Sequence, residues 1–280
     1  MKIVLLFMMV MGVVMGQQED SFKVILQPPT EDISRAELWV GKNIQGVKGV
    51  LVICPGVNWD KPENLKKWHW RELAMKENLG IVSLSFASEV KTIHEKGYYY
   101  MNSGSGEILL KGIEKIYGKP LPLVMYGFSG GAHFVSNFVE QYGGRVICFA
   151  AHSAGWWSEP ADMSVTTPGL ISCGHLDEDR FLPSKKFYNA GRRLGRPWLW
   201  VGQPKLGHSS PDEYEKFAAS YFRSVMKGKP ENQVAVRLTT GEVVEKKKWV
   251  EHDLDPLYGL LPESGFKAEW QRVHQSRGEK

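Results

Sequence analysis

Leu121-Pro122-Leu123-Val124-Met125-Tyr126 runs directly into Gly127-Phe128-Ser129-Gly130-Gly131-Ala132-His133. The first half is a short apolar run of the kind that forms a buried strand. Residues 132–141 are mostly apolar at helical spacing. A serine with a glycine two places before it and another two places after it therefore stands where a strand turns sharply into a helix. That is the setting of a G-x-S-x-G nucleophile elbow. The reasons are local. The serine must take a strained backbone conformation to push its hydroxyl out of the turn, and neighbours without a Cβ let strand and helix approach closely. The helix N-terminus just beyond offers free N–H groups and a positive dipole end to a developing anion.

Working outward, strands alternate with helices. Residues 22–26 and 36–40 read as two short strands on either side of a Pro-Pro turn. Residues 49–54 are a continuous apolar run, hence a strand buried on both faces, ending in Pro55-Gly56-Val57-Asn58-Trp59. Residues 65–79 have helical spacing, 81–86 read as a strand, 88–104 as a loop with three consecutive tyrosines, and 106–117 as an amphipathic helix. Beyond the elbow the expected elements are strands 145–151 and 169–174, helix 181–194, strand 197–201 and helix 212–226. Such alternation predicts an α/β fold with a mostly parallel sheet of about eight strands and helices on both faces. In such sheets the functional loops gather at the carboxyl ends of the strands. Ser129, Asp177 and His208 would share that edge.

Composition narrows the function. The 280 residues suit one sizeable domain. The net charge is only +4, and Lys and Arg are scattered rather than gathered on an aromatic-studded strip. This argues against nucleic-acid binding. Lys246-Lys247-Lys248 reads as a solvated turn. Met1–Gly16 has the form of a signal peptide: one lysine, an apolar run too short for a stable membrane span, and small residues before Gln17. The expected organisation is a leader over 1–16, a catalytic domain over 17–228, and a C-terminal extension over 229–280 with a hairpin at 234–250. The expected location is secreted or periplasmic. The three cysteines, Cys54, Cys148 and Cys173, fall inside strand-like runs and read as free core thiols. No CxxC or HExxH is present, so no metal and no cofactor is expected.

The chain order Ser, Asp, His, with the elbow, an acid behind a later strand and a histidine in the last strand–helix loop, resembles the α/β-hydrolase superfamily. The resemblance spans residues 36–226 and points to the esterase, dienelactone-hydrolase and polyester-depolymerase branches. Pro55-Gly56-Val57-Asn58 stands where the hormone-sensitive-lipase branch has His-Gly-Gly-Gly, which disfavours that branch. The resemblance implies a serine carboxylic-ester hydrolase, with a small-molecule or polymer-borne ester as substrate. Ser129 would be the nucleophile and His208 the base. Asp177, three residues after Gly174, has the spacing of the family's G-x-x-D loops, and Asp179 stands close enough to compete. His152 and His175, at strand ends, are the rivals to His208. The N–H groups of Val57 and Gly130 would hold the oxyanion, with Asn58 as an added donor or simply a turn residue. Trp59, Tyr98 with Tyr99 and Tyr100, and Trp156 with Trp157 would bind substrate through an aromatic rim, or pack beneath a long loop. A serine peptidase is the enzymatic rival, since the same triad cleaves amides. A binding protein on a hydrolase scaffold is the other, and an intact elbow, acid and histidine argue against it.

Overall fold

The computed structural model describes residues 21–42, 45–160, 165–244 and 255–275. The expected leader and the Lys246-Lys247-Lys248 run lie outside them. Strands β1 (Ser21–Ile25), β2 (Ile33–Gly41), β3 (Gly49–Cys54), β4 (Leu79–Ser88), β5 (Leu123–Phe128), β6 (Val146–His152), β7 (Gly169–Gly174) and β8 (Trp198–Gln203) form one sheet. Their spatial order is β1-β2-β4-β3-β5-β6-β7-β8. The β1–β2 and β2–β4 pairings are antiparallel, and every pairing from β4 to β8 is parallel. Strands β3, β5, β7 and β8 are buried at every residue, as a sheet covered on both faces requires.

The helices are α1 (Trp68–Glu77), α2 (Ile93–Lys96), α3 (Ser105–Tyr117), α4 (Gly130–Tyr142), α5 (Glu178–Arg193), α6 (Asp212–Lys227) and α7 (Lys267–Val273). Helix α4 lies on β3, β5 and β6, α5 on β7 and β8, and α1 packs on α6. Several boundaries depart from the sequence expectation for identifiable reasons. The helix expected over 65–79 is split into a 3-10 turn, Pro62–Lys66, and α1, because Lys67 is extended between them. Asn78, at φ 53, then stops α1 in a left-handed turn, and β4 starts at once. The loop expected over 88–104 contains α2 and a second 3-10 turn, Met101–Ser103. The elbow strand starts at Leu123, since Pro122 has no N–H for the ladder. Pro122 contributes only its carbonyl, which accepts from the Val50 N–H.

The C-terminal extension is built into the molecule. Strands β9 (Val234–Arg237), β10 (Val243–Val244) and β11 (Tyr258–Leu261) form a second sheet in the order β10-β9-β11. The hairpin expected at 234–250 is therefore present in its β9–β10 arm, its far residues lying outside those described. Neither β11 nor α7 was expected from the sequence. Helix α7 rests on β8 and α6; fully buried Trp270 donates its indole N–H to the Trp200 carbonyl. The three thiols are free and buried in β3, β6 and β7. Among the described residues, no helix is long and apolar enough to cross a membrane.

Candidate active site

Ser129 sits between β5 and α4 with φ 53 and ψ −117, a backbone that L-residues rarely adopt. Its two glycine neighbours are required by space. A Cβ at Gly127 would stand 2.3 Å from the Gly131 carbonyl oxygen, and one at Gly131 would stand 1.9 Å from that of Cys54. The Ser129 N–H donates to the His152 carbonyl on β6, which fixes the turn to the neighbouring strand.

Three side chains converge at this turn. Asp177 follows β7 at the start of α5, and His208 occupies the loop between β8 and α6. His208 Nδ1 lies 2.8 Å from Asp177 Oδ2, and His208 Nε2 lies 3.0 Å from Ser129 Oγ. A carboxylate accepts only, so the imidazole proton is on Nδ1, and Nε2 presents its lone pair to the serine hydroxyl. Asp177 is buried and its second oxygen accepts from Arg180 Nη1 at 3.0 Å. Asp179 is exposed on the first turn of α5, so Asp177 is the carboxylate that meets His208. The rival histidines are engaged elsewhere. His152 is fully buried and donates from Nε2 to the Ser209 carbonyl, while His175 donates from Nε2 to that of Gln275. His133 accepts the Gly155 N–H.

No family model and no curated protein sequence matches the chain. Solved structures do. One is a poly(3-hydroxybutyrate) depolymerase from Bordetella parapertussis, at 14% identity and TM-score 0.54, covering 82% of this chain and 92% of the depolymerase. An S-formylglutathione hydrolase from Agrobacterium tumefaciens aligns at 16% identity and TM-score 0.53, over 74% of this chain and 94% of that one. An esterase from Pyrobaculum calidifontis aligns at 11% identity and TM-score 0.54, over 73% and 84%. The chain has the α/β-hydrolase fold.

Around this α/β-hydrolase elbow, the other expected residues separate into those that face the serine and those that hold the frame. A Cβ on Gly130 would stand 2.7 Å from the Val57 nitrogen, so the two backbones face each other beside Ser129. Trp59 remains open at 47% exposure, 6.1 Å from Phe128, whose ring stacks on His208 at 5.0 Å. A cavity of about 360 Å³ lies here, with Trp59, Tyr126, Phe128, His208, Ser210 and Lys67 in its walls.

Asn58 holds the frame: its amide closes a pair with the Ser88 backbone, Nδ2 to the carbonyl at 2.9 Å and Oδ1 from the N–H at 3.0 Å. Tyr98 is not in the rim; at 2% exposure it packs edge-on against Phe86. Trp157 is structural too, stacked on Phe187 at 4.3 Å with its N–H donated to Ser184. Trp156 is half-buried in a cluster with Tyr100 and His133, its N–H donated to His94 Nδ1.

Two networks that the sequence did not reveal hold the His208 loop. In the first, buried Glu215 accepts from Lys67, His69, Trp70 and Ser210. Burial raises its pKa, but the bonds from His69 and Lys67 outweigh that and hold it below the ordinary value. In the second, the Ser172 hydroxyl joins His152 Nδ1 and Tyr214, while His152 Nε2 holds Ser209. Burial pushes His152 down to about 4, so it is a neutral strut next to His208. The second network left one sequence signal, His152 and Ser172 inside apolar strands; the first left none, since its partners lie far apart along the chain. His69, Asp212 and Glu215 bring donor atoms within 4.8 Å of one another. The Lys67 ammonium already meets both carboxylates, at 2.7 and 3.6 Å, so the group is an ion-pair cluster.

Proposed function

We propose that the protein is a serine hydrolase that cleaves carboxylic esters through an acyl-enzyme on Ser129. The observation that carries this reading is the unbroken hydrogen-bonded line from Asp177 through His208 to Ser129 on a strained elbow. His208 Nε2 takes the hydroxyl proton as Ser129 Oγ bonds to the ester carbon. The tetrahedral intermediate collapses, the carbon–alkoxy bond breaks, and His208 returns the proton to the leaving alcohol. Water then repeats the sequence to free the acid. Asp177 holds the Nδ1–H tautomer and stabilises the imidazolium. Val57 and Gly130 donate N–H groups to the carbonyl oxygen. The cavity between Trp59 and His208 takes one limb of a small-molecule or polymer-borne ester.

The names of the similar solved structures, a poly(3-hydroxybutyrate) depolymerase, an S-formylglutathione hydrolase and an esterase, support acyl transfer to water as the reaction. The leader-like residues 1–16 support a secreted or periplasmic location. The test is hydrolysis of p-nitrophenyl esters of increasing acyl length, beside Ser129→Ala. Turnover should fall by about 10⁴-fold or more in the variant, and the length profile should size the acyl pocket. Wild-type protein that neither turns over any ester nor reacts with a fluorophosphonate would refute the assignment.

A further inference from the structure

One buried polar group beside Ser129 has no role in the machinery above. Tyr99, in the loop between β4 and α3, is 2% exposed. Its hydroxyl oxygen lies 2.9 Å from the point that a Cβ on Gly130 would occupy, and the Val57 nitrogen lies 2.7 Å from the same point. The Gly130 nitrogen is about 2.5 Å from it by covalent geometry. Three hydrogen-bond donors from three separate segments therefore lie close around Gly130, next to the nucleophile. Residue 130 is a glycine because a Cβ there would clash with the Val57 backbone and the Tyr99 oxygen.

The tyrosine is held there by the helix that carries Ser129. Asn137 on α4 donates to the Tyr99 carbonyl at 2.9 Å, and the Tyr99 ring lies 5.2 Å from that of His133, also on α4. The Tyr98 ring packs edge-on against the Tyr99 ring at 4.6 Å, closing the other side. The one described group paired with the Tyr99 hydroxyl is that of Tyr98, itself either donor or acceptor, so the Tyr99 O–H can turn towards Gly130. Burial pushes the Tyr99 hydroxyl well up, so it remains a neutral O–H donor across the working range of the histidine base.

We propose that the Tyr99 hydroxyl is a third oxyanion donor, a catalytic residue that hydrogen-bonds the ester carbonyl oxygen as it becomes the tetrahedral alkoxide. The inference rests on the ester-hydrolase reading of the site. As Ser129 Oγ bonds to the carbonyl carbon, the π pair moves onto oxygen, between the Val57 N–H, the Gly130 N–H and the Tyr99 O–H. The Tyr99 proton stays on its oxygen throughout, and His208 alone carries the transferred proton. A neutral donor already in place and shielded from water stabilises the developing charge without reorganisation.

Tyr99→Phe removes one oxygen and keeps the ring packing. Its kcat on p-nitrophenyl butyrate should fall about 10²-fold, with KM within about threefold, as expected for a donor used mainly in the transition state. Inhibition by phenylboronic acid, which forms a tetrahedral adduct on the serine, should weaken by a similar factor, while the thermal midpoint holds. Tyr98→Phe, which removes only the hydroxyl behind Tyr99, should lose less. Equal kcat in wild type and Tyr99→Phe, with Ser129→Ala silent, would overturn the Tyr99 role and leave the ester-hydrolase reading intact. So would a loss in Tyr99→Phe that appears in KM and not in boronate affinity. Wild-type protein without turnover or fluorophosphonate labelling would overturn both.

Discussion

Acidification from pH 7 to pH 5 should weaken the fold by roughly 6 kcal/mol, and three buried histidines are the reason. Burial pushes His133 down to about 3, and His152 and His274 to about 4. In each, one ring nitrogen accepts a hydrogen bond that a proton would destroy. His133 accepts from the Gly155 N–H, His152 from the Ser172 hydroxyl, and His274 from the Gly202 N–H. An unfolded histidine titrates near 6.5, so between about 6.5 and 4 the unfolded chain binds the extra protons and stability rises with pH. The stabilisation is complete above about 6.5 and drains away as the pH falls towards the folded values. Each histidine loses about 2 kcal/mol between pH 7 and 5, or about 6 for the three. Carboxylates add little in this window, being ionised in both states above about pH 5. A typical domain has only about 5–15 kcal/mol to lose. Urea unfolding followed by tryptophan fluorescence at pH 7, 6 and 5, extrapolated to water, measures the change. A stability at pH 5 within about 2 kcal/mol of that at pH 7 would refute the account of these histidines as neutral, acceptor-bound struts.

Two further outcomes follow from contacts already described. Glu215→Gln removes the anion that Lys67 and His69 share. It should cost about 2–3 kcal/mol in urea unfolding and lower kcat through the Ser210 tie to the His208 loop, with fluorophosphonate labelling slowed in parallel. Trp270→Ala empties a fully buried site between α7 and β8 and should cost about 3–5 kcal/mol, read as a fall in the denaturation midpoint.

The elbow was legible because its causes are adjacent in the chain: a strand, a glycine-flanked serine and a helix within a dozen residues. The place of Asp177 beside His208 was legible for a reason that the fold makes physical. A Cβ at Gly174 would stand 2.2 Å from the Leu206 carbonyl oxygen, so only glycine lets the Asp177 loop lie against the loop that carries His208. The Leu176 N–H then bonds that same carbonyl at 2.8 Å. Asn58, Tyr98 and Trp157 were misplaced because their positions are set across the fold, by Ser88, Phe86 and Phe187. A loop aromatic turned outward and one turned inward have the same local sequence. β11 and α7 escaped for another reason. At four and seven residues they are too short to show a period; the ladder to β9 makes β11 regular, and packing on β8 and α6 holds α7.

The three buried thiols have a consequence for where this molecule can exist. Cys54 pairs across to Gly127, and Gly127 to Ala151, three residues beyond Cys148. With two strand spacings across and three residues along, Cys54 and Cys148 are about 14 Å apart. His152 pairs with Ser172, which places Cys148 and Cys173 five residues apart along neighbouring strands, about 17 Å. Ala151 pairs with Ile171, which places Cys173 three strand spacings across and two residues along from Cys54, about 16 Å. A disulfide needs Cα atoms within about 7 Å. An oxidant has no pair of sulfurs to join without opening the central sheet, and a reductant has no bond to cut. The chain keeps the same covalent connectivity on either side of a cell membrane, and its stability does not depend on the redox potential around it.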